Sequence, residues 1–125
     1  MPRTSPIIVI SNEISTVEIY ESYAISTITE GLALDHEHID WFRDLFDKYY
    51  PNTKFGYIAN RVNAYSINPL TYYRTAQYKN LSAFAIVCKS QRQKDMAFYE
   101  KRFYNKPFNV FMEIEYAINW VEETI

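Results

Sequence analysis

The chain has 125 residues, a formal net charge of −2 and a pI near 5.7. This length suits one domain, residues 1–125, whose core needs no metal ion or disulfide for stability. The charge gives no overall attraction to nucleic acid or to anionic membranes. A single cysteine, Cys88, excludes an internal disulfide and fits a reducing compartment, so we expect a cytoplasmic protein.

The first six residues lack the long apolar region of a signal peptide. No later apolar run reaches the length that a membrane-spanning helix needs. We therefore expect no signal peptide and no membrane span.

The first part of the chain is predicted to form antiparallel β-strands. Residues 7–10 form a short apolar strand, residues 16–20 alternate apolar and polar side chains, and a second alternating run spans residues 23–29. This alternation is typical of neighbouring strands that bury one face.

A helix is predicted to follow these strands. Asp35 caps its N-terminus, and Pro51 stops it just after Tyr50. Its apolar stripe is suited to packing on a sheet and consists of Ile39, Phe42, Phe46 and Tyr49.

The second part of the chain predicts alternating strands and helices. In chain order we expect a strand at residues 55–59, a polar loop at 60–68, a helix at 69–78, a strand at 81–88, a helix at 90–104, a strand at 107–112 and a closing amphipathic helix from Ile114 through Val121. In the helix at 90–104, the predicted inner side consists of Met96, Ala97, Tyr99 and Phe103. Asn109 favours an edge position for the last strand.

The strand at residues 81–88 indicates the fold class. Its side chains are apolar on both sides, which is typical of a parallel sheet covered on both faces. Phe84, Ile86 and Cys88 point one way, whereas Ala83 and Val87 point the other. We therefore predict a single α/β domain, with a mixed β-sheet that opens on antiparallel strands and continues with alternating strands and helices packed on it.

This layout resembles the SpoIIAA-like branch of the STAS domains, the anti-sigma-factor antagonist family. The resemblance covers most of the chain and rests on the opening hairpin, the strand, loop and helix at residues 55–78, the apolar strand at 81–88, and the final segment. That segment runs from Asn105 through Phe111 and leads to Ala117 and Trp120 of the last helix. The resemblance implies a non-enzymatic module that binds a protein partner or a small ligand at the loop after a central strand.

In this chain the loop covers residues 60–68. The candidate partner- or ligand-binding residues are Asn60, Arg61, Asn63, Tyr65, Ser66 and Asn68. Classical members of the family carry an aspartate-serine-glycine signature, and phosphorylation of its serine breaks partner binding. Ser66 has neither an adjacent aspartate nor a glycine, so the phosphorylation switch is not carried over. The alternative interpretation is an ordinary connector whose Asn and Ser residues satisfy turn geometry.

The relatives of this family that bind lipids imply a second hypothesis, a carrier or sensor of a small apolar ligand. Its possible apolar pocket is formed by Met96, Tyr99, Phe103 and Phe108, although aromatic residues at helical spacing are also typical of a core. Tyr116 and Trp120 fall partly off the apolar stripe of the closing helix, which makes self-association through that helix an open possibility.

Other candidate chemistry is weak in this sequence. His36 and His38 stand two apart and would diverge on a helix, so we predict no metal site and no cofactor. Cys88 lies in the most apolar strand, which argues against a nucleophile, and we predict no catalytic residue and no enzyme activity. The tyrosines and cations of residues 71–79 resemble a surface for single-stranded nucleic acid, but the pattern also fits an amphipathic helix, so no nucleic-acid partner is predicted.

Overall fold

The computed structural model describes residues 5–125. The segment on which the absence of a signal peptide was predicted, residues 1–6, lies mostly outside this range. The strands, in chain order, are Ile8–Ser11 (β1), Ser15–Ile19 (β2), Tyr23–Ile28 (β3), Ala33–Leu34 (β4), Phe55–Asn60 (β5), Ser66–Ile67 (β6), Leu81–Val87 (β7) and Phe108–Phe111 (β8). The helices are His36–Tyr49 (α1), Thr71–Ala76 (α2), Gln91–Glu100 (α3) and Ile114–Thr124 (α4), and a 3-10 turn at Lys101–Phe103 follows α3.

Six strands form one mixed sheet in the order β1-β2-β3-β5-β7-β8. The first three strands are antiparallel neighbours, and β3, β5, β7 and β8 are parallel to one another. The predicted α/β architecture, with its antiparallel opening, is therefore confirmed. The strand with Asn109, β8, lies at the edge of the sheet as expected.

Helix α1 begins where the sequence predicted. The Asp35 side chain accepts a hydrogen bond from His36 N at 2.8 Å, and Asp35 N donates to His38 Nδ1 at 2.9 Å. This reciprocal cap fixes the first turn. The helix then buries Phe42 and Phe46, the centre of the predicted apolar stripe.

The two faces of the sheet are covered by different helices. On one face, buried side chains of α1, α2 and α3, such as Phe42, Tyr72 and Ala97, join a core with Phe84 of β7. On the other face α4 alone packs through Ala117, Ile118 and Val121. The side chains of β7 divide between these two cores as its sequence predicted. Apolar burial on both faces is the main stabilising term for such a sheet.

The loop at residues 60–68 is more ordered than a free connector. Its strand β6 pairs in parallel with β4, with Ser66 opposite Ala33 and Ile67 opposite Leu34. Such two-residue strands carry no periodicity that sequence reasoning could detect. The consequence is that the loop is held against the segment that precedes α1.

Two helix predictions need correction. Helix α2 begins at Thr71, not at Pro69, because residues 69–70 form a turn in which Asn68 Oδ1 accepts from Leu70 N. The predicted inner side of α3 was wrong for Met96 and Tyr99, which are 61% and 54% exposed. This helix instead buries Ala97 and Glu100.

Candidate functional site

The candidate site is a groove at the carboxyl ends of β5 and β7. The loop that follows β5 forms one wall and α3, which follows β7, forms the other. The groove has a volume of about 570 Å³. It is lined by Arg61, Asn63, Ala64, Tyr65, Ser66, Ile67, Pro69, Gln93, Met96, Tyr99 and Glu100. Loops at the carboxyl ends of parallel strands are the usual position of binding sites in α/β sheets.

An ion pair joins the two walls at the base of the groove. Arg61 Nη1 donates to Glu100 Oε2 at 2.7 Å, and Arg61 Nη2 donates to Glu100 Oε1 at 2.6 Å. The two side chains are 15% and 12% exposed. A bidentate pair of this kind fixes both distance and orientation. It therefore determines how α3 is turned toward the loop, and it explains why Glu100 is buried.

Two tyrosines complete the hydrogen bonding of this ion pair. Tyr72 from α2 donates through its hydroxyl to Glu100 Oε1 at 2.5 Å. Arg61 Nε donates to the Tyr65 hydroxyl at 3.0 Å. Because buried charges need partners on every side, this network makes burial of the ion pair tolerable.

Burial and hydrogen bonding shift the pKa of Arg61 and of three groups around it. Burial opposes the charge of Arg61, but hydrogen bonds to Glu100 outweigh it and raise the pKa of the guanidinium. Burial also raises the pKa of the Tyr65 hydroxyl, of the Tyr72 hydroxyl and of the nearby Cys88 thiol. These three groups are therefore protonated at neutral pH, and none supplies an ionised nucleophile.

The loop wall is held in place by hydrogen bonds to the segment between the end of β3 and the start of α1. Asn63 Nδ2 donates to Ile28 O at 3.0 Å, and Ser66 N donates to Leu32 O at 3.0 Å. Asn68 Nδ2 reaches Asp35 Oδ1 at 3.2 Å. Of the predicted loop residues, Arg61, Asn63, Tyr65 and Ser66 line the groove, whereas Asn68 makes a structural bond outside it.

The opposite wall presents exposed apolar side chains. Met96 and Tyr99 lie on the same side of α3, and both line the groove. The guanidinium of Arg102 lies 4.1 Å from the centroid of the Tyr99 ring, and Phe103 makes an edge contact with that ring at 5.9 Å. Large apolar side chains exposed together are typical of interaction surfaces.

The structure separates the residues of the predicted apolar pocket. Met96 and Tyr99 line the open groove, Phe103 lies at the end of the 3-10 turn and lines a different cleft, and Phe108 is buried in the core, stacked on Phe84 at 5.4 Å. The four side chains do not enclose one cavity. Of the predicted loop residues, Asn60 and Asn68 lie outside the groove lining.

Sequence reasoning missed Glu100, the partner of Arg61. The only signal is its position three residues after Ala97, which places both on one face of α3. Nothing in the sequence distinguishes Glu100 from the exposed charges around it.

A second, apolar cleft of about 60 Å³ lies between α1, α2 and the sheet. Among the side chains that line it are Leu34, Ile39, Phe42, Phe46, Ile67, Tyr72 and Phe84. Two polar contacts hold α1 beside it. Arg74 of α2 pairs with Asp40, and the hydroxyl of Tyr78, which follows α2, donates to Asp47 Oδ1 at 2.8 Å.

On the closing helix Tyr116 is 65% exposed, whereas Trp120 is half-buried against Phe111, with ring centroids 5.8 Å apart. In residues 5–125, no group of three or more His, Cys, Asp or Glu side chains is placed to hold a metal ion. No helix within the same range is long and apolar enough to cross a membrane.

The fold and the groove together define a mixed α/β domain with a pre-formed cleft at the carboxyl ends of its parallel strands. No protein-family model, curated protein or solved structure was found to match the chain.

Proposed function

We propose that the protein is a non-catalytic regulatory or binding module that recognises a protein partner in the groove between the loop at residues 60–68 and α3. The observation that carries this proposal is the exposure of Met96 and Tyr99 on a wall of a groove whose shape is fixed by the ion pair of Arg61 and Glu100. A rigid concave surface with exposed apolar anchors loses little entropy on binding.

The chemistry of the groove suits a polypeptide segment. Its two charged groups, Arg61 and Glu100, neutralise each other, so the groove offers little attraction to a polyanion. Asn63, Ser66 and Gln93 supply uncharged donors and acceptors, and Met96 and Tyr99 supply apolar contact. A peptide backbone offers both kinds of polar group, and its side chains offer the apolar ones.

The non-catalytic part of the proposal is supported by the state of the nearby hydroxyl and thiol groups. Cys88 and Tyr65 have raised pKa values because they are buried, so neither is ionised at neutral pH. The proposal agrees with what the STAS-like resemblance implies, namely partner binding at a loop after a central strand. The buried lone thiol of Cys88 also supports a cytoplasmic location.

The test is affinity capture with the parent protein and with three single variants, followed by identification of what is retained. We expect Met96→Ala and Tyr99→Ala to reduce capture of a specific partner by roughly 30-fold, as for an interface residue worth about 2 kcal/mol. Phe98→Ala is the matched control, because Phe98 is exposed on the same helix but does not line the groove. Equal losses in all three variants would contradict the proposal.

A second candidate function, a carrier or sensor of a small apolar ligand, is favoured by the apolar cleft between α1 and α2. The present volume of about 60 Å³ is far below that of ordinary ligand pockets, roughly 300 Å³ or more, so binding requires the two helices to separate. Native mass spectrometry tests this function. Bound mass that disappears on denaturation, and that is lost in Ile39→Trp but kept in Met96→Ala, would favour the carrier.

A further inference from the structure

The edge of the sheet formed by β1 is free, and it lies outside the groove. This strand is the first of the six-stranded sheet and pairs with β2 alone. Within residues 5–125 no strand lies on its other side. Its outer N–H and C=O groups therefore form a row to which another strand could bind.

The orientation of these groups follows from the hairpin between β1 and β2. Asn12 N donates to Ser15 O at 3.1 Å, which makes residues 12 and 15 a hydrogen-bonded pair. Because such pairs alternate along antiparallel strands, Ile8 and Ile10 also bond to β2. Val9 and Ser11 consequently direct their N–H and C=O groups away from the sheet.

The two edges of the sheet differ in how they are protected. At β8 the side chain of Asn109 accepts a hydrogen bond from Val110 N at 2.8 Å, which occupies a backbone donor of that strand. In β1 no charged residue, proline or comparable side-chain bond to a backbone donor interrupts Ile8–Ser11. Ile7 and Val9 are 69% and 52% exposed. Natural edge strands usually carry a device against pairing. The side chains of β1 supply none, and its protection is its short length of four residues.

We propose that β1 pairs antiparallel with β1 of a second copy of this chain, about a two-fold axis at Val9, so that the two sheets become continuous. This register places Val9 opposite Val9 of the other copy and Ser11 opposite Ile7. Val9 N and Val9 O then exchange hydrogen bonds with Val9 of the other copy. Ile7 N already donates to Ile19 O at 2.7 Å, so at the flanking pair only Ile7 O is left to accept from Ser11 N. Since Ile8–Ser11 is uncharged, no like-charge repulsion opposes this pairing.

The symmetry of the edge explains why a second copy is the occupant. A two-fold interface brings the same patch of both subunits together, so the patch must be complementary to itself. An apolar, uncharged strand with alternate free backbone groups meets that condition. The pairing does not involve the groove, so its test is independent of the proposed function.

Disulfide trapping tests both the pairing and its register. Directly opposite residues in a hydrogen-bonded antiparallel pair have Cα atoms about 5.5 Å apart, within the range that a disulfide spans. We expect Val9→Cys to form a covalent dimer of twice 14.9 kDa on mild oxidation. Ser11→Cys should not link to itself but should link to Ile7→Cys when the two variants are mixed. The parent protein controls for Cys88, which is buried.

Sedimentation supplies a test without cross-links. We expect the parent protein to sediment as a dimer, Val9→Thr to remain dimeric, and Val9→Pro to be a folded monomer by circular dichroism, because proline removes an outward donor. A monomeric parent would overturn the proposal. It would also be overturned by a dimer that survives Val9→Pro but is lost in Tyr116→Glu, since that result would place the interface on α4.

Discussion

Gly56 of β5 lies directly beneath Val121 of α4, and no side chain fits between them. A Cβ atom on residue 56 would overlap Val121 Cγ1 and would lie 3.3 Å from Val121 Cβ. The helix is thus seated on the sheet at a point where the strand has no side chain. We expect Gly56→Ala to lower the free energy of unfolding by about 1–3 kcal/mol through overpacking.

Chemical denaturation measures that change, and Val121→Ala provides the matched variant. Removing Cγ1 of Val121 makes room for the new methyl group, so the double variant Gly56→Ala/Val121→Ala should lose less stability than the sum of the single losses. Strictly additive losses would show that the contact between strand and helix is not the cause.

The ion pair of Arg61 and Glu100 should show strong coupling. Arg61→Ala leaves Glu100 buried without its partner, so we expect a loss of about 3 kcal/mol or more in the free energy of unfolding. The double variant Arg61→Met/Glu100→Met should lose less than Arg61→Ala, because no uncompensated charge is then buried. A double-mutant cycle with urea denaturation measures the coupling. A coupling energy near zero would show that Arg61 and Glu100 do not stabilise the fold as a pair.

Asp35 should make stability dependent on pH in the acid range. Its hydrogen bonds from His36 N and from the Asn68 side chain hold the pKa of the carboxyl below its ordinary value of 3.8. Since the folded pKa is lower than the unfolded one, the stabilisation is present above pH 3.8 and is lost as pH falls through the folded value. Comparison of the parent with Asp35→Ala by thermal unfolding at several pH values checks this. The difference in unfolding temperature between the two proteins should shrink as pH falls through that window. A difference that stays constant with pH would show that ionisation of Asp35 does not contribute to stability.

Cys88 should react slowly with thiol reagents in the folded protein. The side chain is buried, and burial raises the pKa of its thiol. We expect labelling with a thiol-specific reagent at neutral pH to follow unfolding, so that it accelerates in denaturant. Lys79→Cys, an exposed position outside the groove and the β1 edge, serves as a reactive reference for the same reagent. Equal rates at the two cysteines would contradict the burial of Cys88.

The sequence predicted the elements whose pattern extends over several residues. The apolar run of β7 and the stripe of α1 each repeat with the period of their secondary structure, so strand, helix and buried faces followed directly. The cap at Asp35 was also predictable, because residue type and position both favour it. His38, which completes that cap, was not, since histidine is an unusual residue at that position.

The orientation of α3 could not be predicted in the same way. Its apolar residues favoured burial of Met96 and Tyr99, whereas the structure turns Glu100 inward toward Arg61. That pairing joins residues 39 positions apart, so no local pattern encodes it. For the same reason, the loop at residues 60–68 was predictable as a candidate site, but the wall opposite it was not.

The unequal coverage of the sheet has a consequence for synthesis. Helices α1, α2 and α3 lie between strands in the chain, so one face of the sheet can be covered while translation proceeds. Helix α4 follows β8, the last strand, and it alone covers the other face. Every strand therefore leaves the ribosome before that face has its helix. Until α4 emerges, Ile25, Ile58 and Val87 lack the helix that covers them, and transiently exposed apolar surface of this kind favours aggregation.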